Sequence, residues 1–177
     1  MEICIIRHTT PAIEKGVCYG QTDVPLADSF QLEAQAVLKK SPVGIEKVYS
    51  SPLQRCVKLG TYIAEQLCIP LAMDERLKEL NFGLWEGQKW DAIEPTAIAT
   101  WMDDYVYVQC PGGESYSDLA IRAGEFLRAL KHQGLGSVAV VTHHGVMKAF
   151  HALIREVSLQ EGMATSYAYG EAAIYRI

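Results

Sequence analysis

Residues 137–145 read SVAVVTHHG. Val138 to Val141 form an apolar run rich in β-branched residues and too short for a helix. Such a run is expected of a strand buried on both faces, as in a parallel sheet. His143, His144 and Gly145 follow where that strand would end, and a helix is expected from about Val146 to Ile154. A strand that runs into polar residues and then a helix is the unit from which open α/β sheets build ligand sites, beyond the carboxyl ends of their strands.

The same pattern opens the chain. Ile3 to Ile6 is a short apolar run, followed directly by Arg7 and His8. Loop chemistry comes next, with Pro11, Gly16, Gly20 and Pro25. A helix is expected from about Ser29 to Lys40. Val48 and Tyr49 form a second short strand. Ser51-Pro52 then reads as a helix start, with Ser51 as N-cap and Pro52 at the first helical position; this helix runs to about Leu67. Leu71 to Gly87 reads as extended and loop-like. Trp85 to Tyr105 holds one or two short helices broken at Pro95, and Ser115 to Lys131 is an amphipathic helix. The tail reads as a hairpin of Thr165–Tyr169 and Ala172–Ile177 around Gly170-Glu171. Alternating strands and helices predict a single α/β domain over 1–177, with a largely parallel central sheet flanked by helices in three layers. Residues of about 89–110 break the alternation and are expected to form a small helical, lid-like insertion.

Of 177 residues, 49% are hydrophobic and 21% charged, which suits an ordinary domain able to bury a core. The formal charge is −5 and no Lys/Arg-rich run occurs, so neither nucleic acid nor anionic lipid is an expected partner. No apolar stretch is long enough to span a membrane, and the N-terminus lacks the pattern of a signal peptide. The five cysteines are scattered, without CxxC spacing, and read as reduced thiols of a cytoplasmic protein. Nothing in the sequence bears on oligomeric state.

If the three strands are parallel neighbours, Arg7, His8, His143 and His144 converge at one sheet edge. Arg55, on the first turn of the helix after Tyr49, joins them. So many cationic or titratable groups are costly to bury together unless an anion offsets them. A phosphate is the natural partner, because guanidinium forks match its oxygens. Taken singly, each residue has a plainer reading: Arg55 as a solvated helix residue, or an Arg-His pair by chance. Competing chemistries lack their signatures. There is no HExxH or Cys/His metal spacing, no GxSxG elbow and no Walker loop. Trp85, Trp90 and Trp101 read as core anchors or as a stacking platform. Tyr19 and Gln21 could touch a substrate or simply pack their loop.

Five blocks in order, IIRHTT, YSSPLQRC, ERLKELNFGLWEG, PGGES and VVTHHGV, resemble the histidine phosphatase superfamily, the phosphoglycerate mutase-like proteins. They cover the chain nearly end to end. Chain length, YGQTDVPL and LNFGLWEG look most like the α-ribazole phosphatase branch. The resemblance implies a metal-independent phosphomonoesterase that needs no cofactor and acts on a small phosphorylated metabolite. For that branch the substrate is α-ribazole 5′-phosphate, in cobalamin nucleotide-loop assembly. His8 would be the nucleophile and carry the phosphoryl group. Arg7, Arg55 and His143 would hold its oxygens, and Glu79 would act as acid and then base. Thr9, His144 and Gln21 join Arg7, Arg55 and His143 as expected substrate contacts. The alternatives are a broad-specificity sugar-phosphate or nucleotide phosphatase, a phosphoglycerate mutase-like enzyme, or a non-catalytic phosphate-binding module. The chain departs from the family pattern at Thr9 and His144, where Gly is usual, at Thr10, where Glu is common, and at Cys56 in place of Ala.

Overall fold

The apolar run at 138–141 lies at the centre of the sheet. In the computed structural model, which describes residues 1–177, β4 (Ser137–Thr142) pairs in parallel with β1 (Glu2–Arg7) on one side and β2 (Lys47–Ser50) on the other. Two short edge strands complete the five-stranded order β3-β2-β4-β1-β5. β3 (Leu71–Met73) is parallel to β2, and β5 (Ala172–Arg176) is antiparallel to β1.

Strand alternation builds the three layers. Val138 and Val140, with Ile3 and Ile5, face a cluster formed with α4 (Tyr116–Lys131) and α5 (His144–Arg155). Ala139 and Val141, with Cys4 and Ile6, face the other way, against α1 (Phe30–Lys40) and α2 (Gln54–Leu67). Both faces are covered, so β1 and β4 carry unbroken apolar runs, Ile3–Ile6 and Val138–Val141, with no polar alternation. The register pairs Arg7 with Thr142, so Arg7-His8 and Thr142-His143 leave the sheet together. Ser50 pairs with Val141, which brings the β2–α2 connection to the same end.

Two expectations need correction. Ser51-Pro52 does not start α2. The helix begins at Gln54 with Leu53 as its cap residue; the Ser51 hydroxyl accepts the Leu53 amide (3.4 Å) two residues on and also meets His143 (Oγ to Nε2, 2.8 Å). The tail does not form a hairpin either. Residues 165–169 are irregular, and their polar groups are taken from other directions. The Tyr167 carbonyl accepts from Arg7, and the Tyr167 amide donates to His144. Only β5 remains extended, and it pairs with β1.

The third block folds as short 3₁₀ turns at Glu75–Leu77 and Gly83–Trp85. Between Trp90 and Tyr105 lie a further 3₁₀ turn and α3 (Pro95–Asp103), which begins at Pro95 with the Glu94 carboxylate capping two amides. This segment gathers Trp85, Ile93, Cys18 and Cys110 into a small separate cluster, with Trp90 and Trp101 half-buried against it. Trp85 is therefore a core anchor. A five-residue helix, α6 (Leu159–Met163), packs on α5. No helix is long and apolar enough to cross a membrane, and all five cysteines are free.

Val140→Ala should lower the unfolding free energy by about 2 kcal/mol in urea titrations, since it empties a fully buried position between α4 and α5. Val43→Ala, at a position 99% exposed, should stay within about 0.5 kcal/mol.

Candidate active site

Three chain segments deliver the site: the ends of β1 and β4 and the first turn of α2. His8, Arg55 and His143 are all buried, at 2%, 0% and 0% exposure. The His8 and His143 rings meet edge to face, with centroids 5.2 Å apart. His8 Nδ1 lies 2.8 Å from the Thr9 carbonyl oxygen. A carbonyl can only accept, so Nδ1 carries the proton and the neutral ring leaves Nε2 with a free lone pair.

The electrostatics hold that state. Burial, then the Arg55 charge, pushes the His8 pKa down to about 3. The same two causes hold His143 well below the ordinary imidazole range. His143 Nε2 meets Ser51 Oγ, and Cys56 Sγ lies 3.4 Å from the same nitrogen.

Neither Arg7 nor Arg55 pairs with a carboxylate. Each guanidinium is aimed by backbone carbonyls instead. Arg55 donates to Thr22 and Gly20, and Arg7 donates to Tyr167. Seven buried side-chain N or O atoms in the chain have no hydrogen-bond partner within the protein, and three of them are Arg7 Nε, Arg55 Nε and Thr9 Oγ1. Buried polar groups are normally satisfied. Two cations without a carboxylate partner make a receptor for an oxyanion, and the free lone pair of the His8 imidazole stands beside them as a nucleophile. The start of α5, capped by His143, adds the partial positive charge of a helix N-terminus.

Glu79 stands at the same helix start. Its Oε1 accepts the Leu80 amide (2.9 Å) and its Oε2 the Gly145 amide (3.1 Å). A Cβ at position 145 would meet that carboxylate, so the Glu79 side chain would have to give way to it. The Glu79 carbonyl accepts from Gln21 and from Arg122. Gln21, expected as a substrate contact, thus has its amide on the backbone that carries Glu79. His144, also expected there, turns its Nε2 to accept the Tyr167 amide (3.3 Å), and burial lowers its pKa to about 4. Thr9 sits at 0% exposure without positive φ, so the absence of Gly demands no unusual backbone.

Sequence reasoning missed several residues that shape the site. Arg122 donates to the carbonyls of Arg76, Lys78 and Glu79 and forks onto the Glu114 carboxylate. Glu114 in turn accepts the Asn81 amide. This clamp gives PGGES its physical role, since it locks the loop carrying Glu79 onto α4. Glu86 ties the amides of Gln21 and Thr22 to that of Phe82. Ser51 was in view within YSSPLQR. Arg122 carried no signal, because a helical arginine looks solvated.

A sequence model of the histidine phosphatase superfamily (branch 1) matches residues 3–177. The chain belongs to that superfamily. Among its relatives is a metal-independent phosphoserine phosphatase of Arabidopsis thaliana, 32% identical over 169 residues, covering 89% of this chain and 70% of that protein. The fold matches the α-ribazole phosphatase from Shigella flexneri with a TM-score of 0.90 at 21% identity, over 100% of this chain and 91% of the other. It also matches a mycobacterial glucosyl-3-phosphoglycerate phosphatase with a TM-score of 0.84 at 22% identity, over 98% and 88%. Membership explains why the five blocks, far apart in sequence, meet at one end of the sheet.

The depressed histidine pKa values have a definite sign. Between pH 6.5 and the folded pKa, the unfolded chain binds protons that folded His8 and His143 do not, so stability falls as pH drops below about 6.5. Nitrogen-detected NMR should find both rings neutral at pH 5, with His8 protonated at Nδ1. Titration of either near pH 6.5 would contradict this reading.

Proposed function

We propose that this chain is a phosphomonoesterase that works through a phosphohistidine on His8. The observation that carries the proposal is the unpaired set of donors, Arg7, Arg55 and Thr9, around a buried imidazole whose Nε2 is free. His8 Nε2 attacks phosphorus, and the P–O bond to the leaving alcohol breaks. Arg7, Arg55 and the neutral His143 hold the three phosphoryl oxygens as charge spreads over them. Glu79 delivers a proton to the leaving oxygen as that bond breaks. Water then attacks phosphorus, Glu79 takes the water proton, and the P–N bond breaks to release phosphate and neutral His8. Nδ1 keeps its proton throughout, held by the Thr9 carbonyl. The fixed guanidinium charges do the electrostatic work that a metal performs elsewhere.

α-Ribazole 5′-phosphate is the proposed substrate. The sequence blocks resemble that branch, and the Shigella flexneri enzyme matches the whole chain. A second reading, phosphoserine, is favoured by the Arabidopsis relative, named for that activity. Comparing kcat/KM for α-ribazole 5′-phosphate, phosphoserine and 3-phosphoglycerate decides between them: α-ribazole phosphate should lead by at least tenfold.

His8→Ala should abolish turnover of every substrate with the fold intact, and activity should survive EDTA. Loss on chelation, restored by one divalent ion, would refute the charge argument. Glu79→Gln separates the two steps. An alkyl leaving group needs protonation, so hydrolysis of alkyl phosphates should fall by about 10²–10⁴-fold. With p-nitrophenyl phosphate, release of the phenolate should be much less affected in the first turnover, and the phosphoenzyme should accumulate. Equal losses for both substrates would place the proton donor elsewhere.

A further inference from the structure

His8, Arg55 and His143 are buried and Arg7 is half-buried, so the way in to them is narrow. Directly against them lie two tyrosines from loops 150 residues apart. Tyr169 places its ring 3.9 Å from the Arg7 guanidinium carbon and 5.5 Å, centroid to centroid, from the His8 ring. Tyr19 places its ring 5.4 Å from the Arg55 guanidinium carbon. The two phenol oxygens are 2.7 Å apart and hydrogen-bonded to each other. Tyr169 is 38% exposed, whereas His8 beneath it is 2% exposed. The pair therefore spans both arginines and the nucleophile, with solvent on its outer side.

The backbone beneath each ring is tied down. Gly20, next to Tyr19, accepts from Arg55, and Cys18 donates to Gln88. Gly170, next to Tyr169, donates to the His8 carbonyl, and Tyr167 accepts from Arg7. The phenol side chains are thus the parts that can turn aside with these ties kept. Each ring covers a cation by a cation–π contact, and the hydroxyl–hydroxyl bond latches the two together. A phosphoryl group and the phenol faces compete for the same guanidinium groups.

We infer that Tyr19 and Tyr169 form a side-chain gate over the phosphoryl pocket, latched by their mutual hydrogen bond and opened when an oxyanion displaces the rings from Arg7 and Arg55. Both act as positioning residues. The inference rests on the proposed phosphatase reading for what enters, although the gate itself is defined by access to His8.

Tyr19→Phe, Tyr169→Phe and the double variant remove the latch and keep both rings. Two probes are read on each. Carbethoxylation of His8 by diethyl pyrocarbonate, followed by peptide mass mapping, should speed up about 2- to 12-fold, the range expected for losing one neutral hydrogen bond. Binding of inorganic phosphate, followed by calorimetry, should tighten over the same range, with KM for p-nitrophenyl phosphate falling more than kcat changes. One bond is lost in all three variants, so the double variant should match the singles. Unchanged His8 reactivity, additive gains, or weaker phosphate binding in the Phe variants would each overturn the gate, the last by making the hydroxyls ligand contacts. Faster His8 modification in a protein that binds no phosphate would keep the gate and refute the phosphatase reading.

Discussion

Arg55 is a full positive charge at 0% exposure with no carboxylate beside it. Burying an unpaired cation is among the most unfavourable things a fold can do. The surrounding structure is arranged around it. Two carbonyls, of Gly20 and Thr22, take its Nη atoms. Two histidines next to it stay neutral, because burial disfavours their charged forms and protonating either would also add charge to charge. The neutrality that reduces repulsion in the free protein also leaves His8 with a free lone pair, so one constraint yields both a receptor for an anion and a nucleophile.

The rest of the chain keeps that cluster in place. β1 and β4 are parallel and in register, which places His8 and His143 side by side. The Ser51 hydroxyl links the β2–α2 connection to His143. Arg122 and Glu114 fix the Glu79 loop to α4, and Glu86 fixes the Tyr19–Thr22 loop to the third block. Each tie joins segments distant in sequence, and those made by Arg122, Glu114 and Glu86 are hydrogen bonds to charged groups, the stronger kind.

The central strands were legible because burial on both faces writes itself as unbroken apolar runs, Ile3–Ile6 and Val138–Val141. His8, His143 and Arg55 were legible as well, since each follows such a strand at the end where ligands bind. Glu79 was picked out from Glu75 and Glu86 only through the family resemblance. Edge strand β3 has three residues, too few to carry a period. The tail misled because Thr165–Tyr169 has the residue types of a strand, while its backbone partners are Arg7 and His144, far away in sequence. Ser51 followed by Pro52 looks like a helix cap by local rules, yet its hydroxyl faces His143. Where tertiary contacts to the site override local propensity, the sequence signal points the wrong way.

The central claim is that buried, unpaired cations present a phosphoryl group to His8 Nε2. Rapid mixing with excess p-nitrophenyl phosphate, quenched in alkali to preserve a phosphohistidine, followed by peptide mapping, tests it most directly. The account predicts a phosphoryl group on His8 at Nε2, formed within one turnover and absent from Arg55→Ala on the same timescale. A phosphoryl group on another residue, or turnover with no phosphoenzyme at any time, would contradict it.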